Sequence, residues 1–154
     1  MQDLAMFANT LTATNLLLDN SRQTQEVKRR EVFNPNCCCM KWAKELCTVK
    51  TCGPRRTGHS HVARQLFSHY FKGDAWVIVP KMEMLKEFRE ECGARACSMV
   101  HLEKHRGTAR LSAVIIDTAS LFSRNEIEKI YCDFCPYVWT NARNGEPFFF
   151  VFLE

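Results

Sequence analysis

Three short apolar runs constrain the fold of this chain more than any other feature of its sequence. They read AWVIV at 75–79, SAVII at 112–116 and FFFVF at 148–152. Each run has the length of a β-strand, and none alternates between apolar and polar residues. This pattern is typical of strands buried on both faces, as in a parallel sheet covered by helices. The runs therefore predict an α/β protein.

The segments between these runs have helical patterns. Residues 61–70 and 81–92 are amphipathic, and 125–131 form a third predicted helix with Ser123 as its N-cap. A short β-rich stretch at 47–51 precedes the first of these helices. Alternation of strand and helix predicts a mostly parallel sheet flanked by helices, with right-handed crossovers.

The first 44 residues differ in character from the rest. They include an apolar helical stretch at 3–19 and a charged helix at 21–32 that the Asn-Pro-Asn sequence at 34–36 ends. This part is too small and too polar to hold its own core. We therefore divide the chain into an N-terminal helical appendage, 1–44, and an α/β domain, 45–154.

Composition narrows the classes of partner. No apolar run is long enough for a transmembrane helix, and the N-terminus does not resemble a signal peptide. We expect a cytoplasmic protein with no membrane partner, in the host cell cytoplasm if the protein is viral. The net charge of +4 permits contact with nucleic acid but does not predict it.

The nine cysteines are expected to be reduced, because their number is odd and no export signal is visible. Cys132 and Cys135 form a C-x-x-C pair, but they lie in a predicted helix and the other spacings match no recognised zinc pattern. His101 and His105 are four residues apart, which suits a metal only with a third ligand. We predict no metal-ligating residues, do not expect zinc, and assign these histidines to a solvated basic face.

The residues that suggest a ligand-binding site lie mostly in one loop. Residues 53–60 read GPRRTGHS, with a predicted strand before them and a predicted helix after them. Gly53 and Gly58 let the backbone curl so that its N–H groups point at phosphate oxygens. The N-terminus of the following helix adds a partial positive charge. This combination predicts a phosphate-binding loop.

The loop resembles a Walker A sequence, G-x-x-x-x-G-K-[ST], and VIID at 114–117 resembles a Walker B strand. From about residue 46 onward the chain thus resembles a degenerate P-loop NTPase with a helicase-like or terminase-like RecA-type core. The resemblance implies ATP or ADP with Mg²⁺ as ligands, with Ser60 and Asp117 at the metal. The implied nucleotide-binding residues are Gly53, Arg55, Arg56, Thr57, Gly58, His59, Ser60, His61 and Asp117.

Three departures from that pattern bear on activity. His59 stands where the family has a lysine that reaches the β- and γ-phosphates, and histidine is shorter and mostly neutral near pH 7. Thr118 stands where many relatives have a glutamate that orients the attacking water. The chain also ends after the predicted fourth core strand. Arg55 and Arg56 compensate in part for the missing lysine, but we predict no catalytic residues and lean against enzyme activity.

These features favour an accessory protein that binds nucleotide or nucleic-acid phosphate with little or no ATP hydrolysis. The expected setting is viral or phage nucleic-acid metabolism, including DNA binding, or host takeover. One alternative is a weak Mg²⁺-dependent ATPase. Another is a non-enzymatic module that binds a protein partner on a decayed NTPase scaffold. The C-terminal aromatic residues are assigned to the core, and an exposed last strand would favour a homodimer.

Overall fold

The computed structural model describes residues 2–32, 39–51 and 59–154, which form a parallel sheet between two layers of helices. The helices are α1 (Gln2–Val32), α2 (Cys39–Leu46), α3 (His59–Gln65) and α4 (Arg124–Arg143). The strands are β1 (Thr48–Thr51), β2 (Ala75–Val79), β3 (Ala96–Ser98), β4 (Ala113–Ile116) and β5 (Phe149–Leu153).

All pairings in the sheet are parallel, and the strand order is β1-β5-β4-β2-β3. The predicted α/β class is confirmed, and the four strands expected from the sequence are present. The three-residue strand β3 was not predicted, because Ala96–Ser98 is too short for a periodic signal. It extends the sheet beyond β2, with Ile78 opposite Cys97.

The last strand is not an exposed edge, which was the condition under which the sequence favoured a homodimer. β5 lies inside the sheet, where Phe150 pairs with Thr48 of β1 on one side and with Val114 of β4 on the other. All five residues of β5 are buried. Its side chains are apolar on both faces, so the interior of the sheet is the place where they lose most contact with water. The argument for a homodimer through this strand is therefore removed.

The two faces of the sheet have separate hydrophobic cores. One core is covered by α2 and α4, and the other by α1, α3 and the segment that follows α3. Strand residues alternate between the two cores, as the pleat requires. Trp76, Ile78, Val114, Ile116, Phe150 and Phe152 face the first core; Val49, Ala75, Val77, Val79, Ala113, Ile115, Phe149, Val151 and Leu153 face the second.

The helical segments differ in detail from their predictions. The segment expected to be an amphipathic helix at 81–92 is a 3₁₀ helix, Met82–Phe88, that buries Phe88. The predicted helix at 61–70 begins as α3 and ends in a π-helical turn, Leu66–Tyr70. Helix α4 is longer than predicted, since it continues through Pro136 to Arg143 and buries apolar residues between Ile130 and Ala142.

Helix α1 is continuous and packs along the edge strand β1. Leu18 is fully buried in the core that α3 also covers. The side-chain amide of Gln25 donates to the carbonyl of Phe148 at 2.9 Å and accepts the N–H of Phe148 at 3.1 Å. Although α1 is long, no helix among the described segments is both long enough and apolar enough to cross a membrane.

Candidate functional site

The carboxyl ends of all five strands lie at one edge of the sheet, because the sheet is entirely parallel. After β4, the chain continues into α4 on one face of the sheet, whereas α3, which follows β1 in sequence, and Phe88, which follows β2, pack on the opposite face. The position beyond the strand ends where connections diverge in this way is where ligands of open α/β sheets usually bind. Asp117 follows β4 at this position.

Two residues that are distant in sequence meet at the carboxyl end of β4. Ser60, in the first turn of α3, donates a hydrogen bond from its hydroxyl to Oδ2 of Asp117 at 2.9 Å. The backbone N–H of Asp117 donates to the carbonyl of Ile78 in β2 at 3.0 Å, which fixes the start of the turn after β4. The hydroxyl and the carboxylate suggested by the sequence are therefore adjacent.

Asp117 is in an energetically unfavourable environment. Its side chain is fully buried, and Oδ1 has no hydrogen-bond partner among the described residues. Burial raises the pKa of this carboxyl, and the nearby carboxylate of Glu87 raises it further; Ser60, the backbone of Thr118 and Arg64 oppose the shift. A buried carboxyl oxygen without a donor is a common feature of a binding site, since a cation or donor from outside would complete it.

The residue after Asp117 has a strained backbone. Thr118 is in the left-handed region, with φ 51° and ψ 54°. A β-branched residue rarely adopts this conformation, which costs on the order of 1–2 kcal/mol. The turn sends the chain away from the carboxyl edge into a short 3₁₀ turn, Ala119–Leu121. Such strain concentrates at functional sites, where the surrounding structure holds it in place.

Helix α1 contacts the chain on both sides of the loop. Before the loop, Thr14 of α1 and Thr51 of β1 share a buried hydrogen bond between their hydroxyls at 2.9 Å. After the loop, the ring of Phe7 lies 4.3 Å from the ring of His61, measured between centroids. Sequence reasoning missed Phe7 and Thr14, because no local pattern reveals a contact with a segment tens of residues away.

The remaining predicted site residues are placed as follows. Gly53, Arg55, Arg56, Thr57 and Gly58 lie outside the described residues. His59 is the first residue of α3.

His61 is exposed at the surface of α3. Its Nδ1 lies 3.2 Å from a guanidinium nitrogen of Arg64, which also donates to the backbone carbonyl of Glu87 at 3.0 Å. The charge of Arg64 also lowers the pKa of Asp117.

The assignment of His105 to a solvated basic face is wrong. Its side chain is buried and lies 4.3 Å from the ring of Phe134, and its Nδ1 is 3.2 Å from the hydroxyl of Tyr137. Burial lowers the pKa of His105. The 3₁₀ segment that carries it has a kink at His101, so the two histidines do not share a regular helical face.

Comparisons with protein-family models, with curated proteins and with solved structures give no match for this chain.

Proposed function

We propose that this protein binds the phosphate groups of a nucleotide, with Mg²⁺, at the carboxyl edge of its sheet, and that it hydrolyses the nucleotide slowly or not at all. The observation that carries the proposal is the hydrogen bond between Ser60 and Asp117. It joins the start of the helix after the GPRRTGHS loop to the end of the apolar strand at 113–116. Those are the two positions that the resemblance to P-loop NTPases assigns to the metal.

The chemistry of these two side chains suits Mg²⁺. The ion prefers oxygen ligands and is usually held by one or two carboxylates together with substrate phosphates. Asp117 offers a buried carboxylate with one oxygen that has no described donor, and Ser60 offers a hydroxyl. A divalent cation would stabilise the ionised form of Asp117, which burial disfavours.

Slow turnover is expected from the residues that surround this pair. Thr118 follows Asp117, and a neutral hydroxyl is a poor general base for activating water. His59 occupies the place of a permanently charged lysine, so less positive charge would be available to stabilise the charge that develops on the phosphate oxygens. Binding of phosphate is therefore a better-supported role than hydrolysis.

Calorimetric titration of ATP and ADP, with and without Mg²⁺, tests the proposal. We expect wild type to bind Mg-ATP, and we expect Asp117→Asn to lose the dependence on Mg²⁺. Ser60→Ala should bind several-fold more weakly, on the order of 1 kcal/mol. His59→Lys should bind at least about tenfold more tightly, because a charge-assisted hydrogen bond to phosphate is restored. Ser112→Ala, at the opposite end of β4, is the matched control and should bind like wild type.

Each other outcome has a definite meaning. Absence of binding to wild type and to His59→Lys would overturn the phosphate site. Binding only to His59→Lys would identify a decayed site and favour the role of a protein-interaction module. Mg²⁺-dependent release of phosphate from ATP by wild type, lost in Asp117→Asn, would favour the weak ATPase instead.

A further inference from the structure

Helix α1 extends past the carboxyl edge of the sheet. Gln25 bonds to Phe148, which precedes β5, whereas Thr14 bonds to Thr51, the last residue of β1. The helix therefore runs along the sheet with its N-terminus toward the carboxyl edge. Phe7 comes half the distance in sequence from Thr14 to the start of the chain, and it lies about 10 Å beyond Thr14 along the helix axis. The first turns of α1 thus lie beyond the strand ends, on the side where α3 begins.

Helix α1 lies beside α3 and the π-helical turn that continues it, and this interface has contacts at both ends. At the end near the candidate site, the ring centroids of Phe7 and His61 are 4.3 Å apart. At the other end, the hydroxyl of Tyr70 donates to the carboxylate of Asp19 at 2.7 Å. Between these ends lies a cavity of about 160 Å³, and Oδ1 of Asn15, which lines it, has no hydrogen-bond partner among the described residues. Because the middle of the interface is not closely packed, the contact between Phe7 and His61 fixes the separation of the helices near the site.

Ser60 and His61 are neighbours in the first turn of α3, and they are held from different directions. The hydroxyl of Ser60 donates to Oδ2 of Asp117 at 2.9 Å. Successive residues of a helix point about 100° apart, so His61 contacts α1 while Ser60 contacts the end of β4. The first turn of α3 is therefore held between α1 and β4. Loss of the contact with α1 would leave it held from one side.

From this arrangement we infer that Phe7 is a positioning residue for the proposed metal and phosphate site, an inference that rests on the function proposed above. Phe7 acts through His61. By holding His61 against α1, it keeps the first turn of α3 at the place where the hydroxyl of Ser60 meets Asp117. A Mg²⁺ ion shared by these two side chains needs each oxygen at about 2.1 Å, so a small displacement of the turn weakens the site.

Hydrogen–deuterium exchange of the full-length protein without nucleotide tests the positioning of α3 directly. The amides of 63–65 bond to carbonyls of the first turn of α3, and they should exchange at least about threefold faster in Phe7→Ala than in wild type. Leu4→Ala, one turn earlier in α1 where the side chain is 71% exposed, is the matched control and should exchange like wild type. The amides of 130–134 in α4, on the other face of the sheet, report global unfolding and should not change.

Calorimetric titration with Mg-ADP measures the consequence for the site. Phe7→Ala should bind about three- to thirtyfold more weakly than wild type, the usual range for substitutions that act on a site without touching its ligand. Leu4→Ala should bind like wild type. Because Phe7 acts through His61, Phe7→Ala should have less than about a twofold effect in a protein that already carries His61→Ala.

The two experiments separate failure of this inference from failure of the proposed function. If wild type binds no nucleotide, the proposed function fails, and exchange at 63–65 alone decides whether Phe7 positions α3. Unchanged exchange or unchanged affinity in Phe7→Ala, or an equal change in Leu4→Ala, would overturn the inference. It would also be overturned by an undiminished effect of Phe7→Ala in the His61→Ala protein, or by exchange at 130–134 that rises as much as at 63–65.

Discussion

At the scale of single residues, the proposed role of Asp117 in binding is opposed to its effect on stability. A buried carboxyl with one unsatisfied oxygen destabilises the folded state when it is ionised. Among the described residues, the hydroxyl of Ser60, the backbone of Thr118 and the charge of Arg64 offset this cost. The proposed binding of a cation would remove this cost.

The raised pKa of Asp117 has a definite effect on stability. Between the unfolded and the folded pKa, the folded state holds a proton that the unfolded state has released, so the free energy of unfolding falls as pH rises through this window. We expect Asp117→Asn, which has no charge to bury, to raise the free energy of unfolding near pH 7 by about 1 kcal/mol. Chemical denaturation from about pH 4 upward checks this. The prediction would be contradicted if, as pH rises, the free energy of unfolding of wild type increased by as much as that of Asp117→Asn, or by more.

At the scale of secondary-structure elements, α1 is tied to the sheet by polar contacts as well as by apolar ones. Gln25 bonds to both backbone groups of Phe148, as a neighbouring strand would, and Thr14 bonds to Thr51. Leu18, between them, is fully buried. Position along the helix decides this role, since Gln25 and Thr14 fall on the side that faces the sheet, whereas Leu16 is 61% exposed.

These contacts predict an unequal effect of two similar substitutions in α1. Gln25→Ala should lower the free energy of unfolding by about 2–3 kcal/mol, because it leaves a buried N–H and a buried carbonyl without partners. Gln23→Ala, at an exposed position of the same helix, should change it by less than about 0.5 kcal/mol. Urea denaturation of both variants measures the difference, and similar values for the two would show that α1 is held by apolar packing alone.

The N-cap of helix α4 was predicted correctly from the sequence. Ser123 accepts a hydrogen bond from the N–H of Glu126 at 3.2 Å, and the carboxylate of Glu126 accepts one from the N–H of Ser123 at 2.9 Å. Ser123→Ala should destabilise the protein by about 1 kcal/mol, whereas Ser120→Ala, at an exposed position just before this helix, should be neutral. Thermal unfolding of the two variants gives the comparison, and equal melting temperatures would argue against the cap.

At the scale of the whole molecule, the last strand joins the sheet together. β5 is the only link by backbone pairing between β1 and the other three described strands. β1 leads into the loop, and β4 leads into Asp117. The two halves of the candidate site are therefore positioned relative to each other through β5, whose residues lie far from both in sequence.

We expect Phe150→Ala to destabilise the whole domain by about 3–5 kcal/mol, the usual cost of removing a buried aromatic side chain. Phe150 is fully buried, and its ring lies 4.7 Å from that of Tyr131 and 5.2 Å from that of Phe148. Leu121→Ala, where the side chain is 56% exposed, is the control and should cost less than about 0.5 kcal/mol. Denaturation of both variants measures the costs, and a loss below about 1 kcal/mol in Phe150→Ala would show that β5 is not central to stability.

The sequence by itself determined the class of fold, the positions of four strands and the cap of α4. These features depend on local patterns: apolar runs of strand length, helical periodicity, and the spacing of Ser123 and Glu126. It also singled out Ser60 and Asp117 through the motifs that contain them. That the two are in contact, at 2.9 Å, is a fact of the tertiary structure.

Only the tertiary structure decided the strand order, the internal place of β5 and the burial of His105. Each of these depends on which faces pack together across long separations in the chain. A periodic pattern shows that a face is apolar, but it does not show which partner covers that face. The partner is chosen by the packing of all elements at once, because close-packed interiors admit few arrangements that leave no cavity and no unpaired polar group.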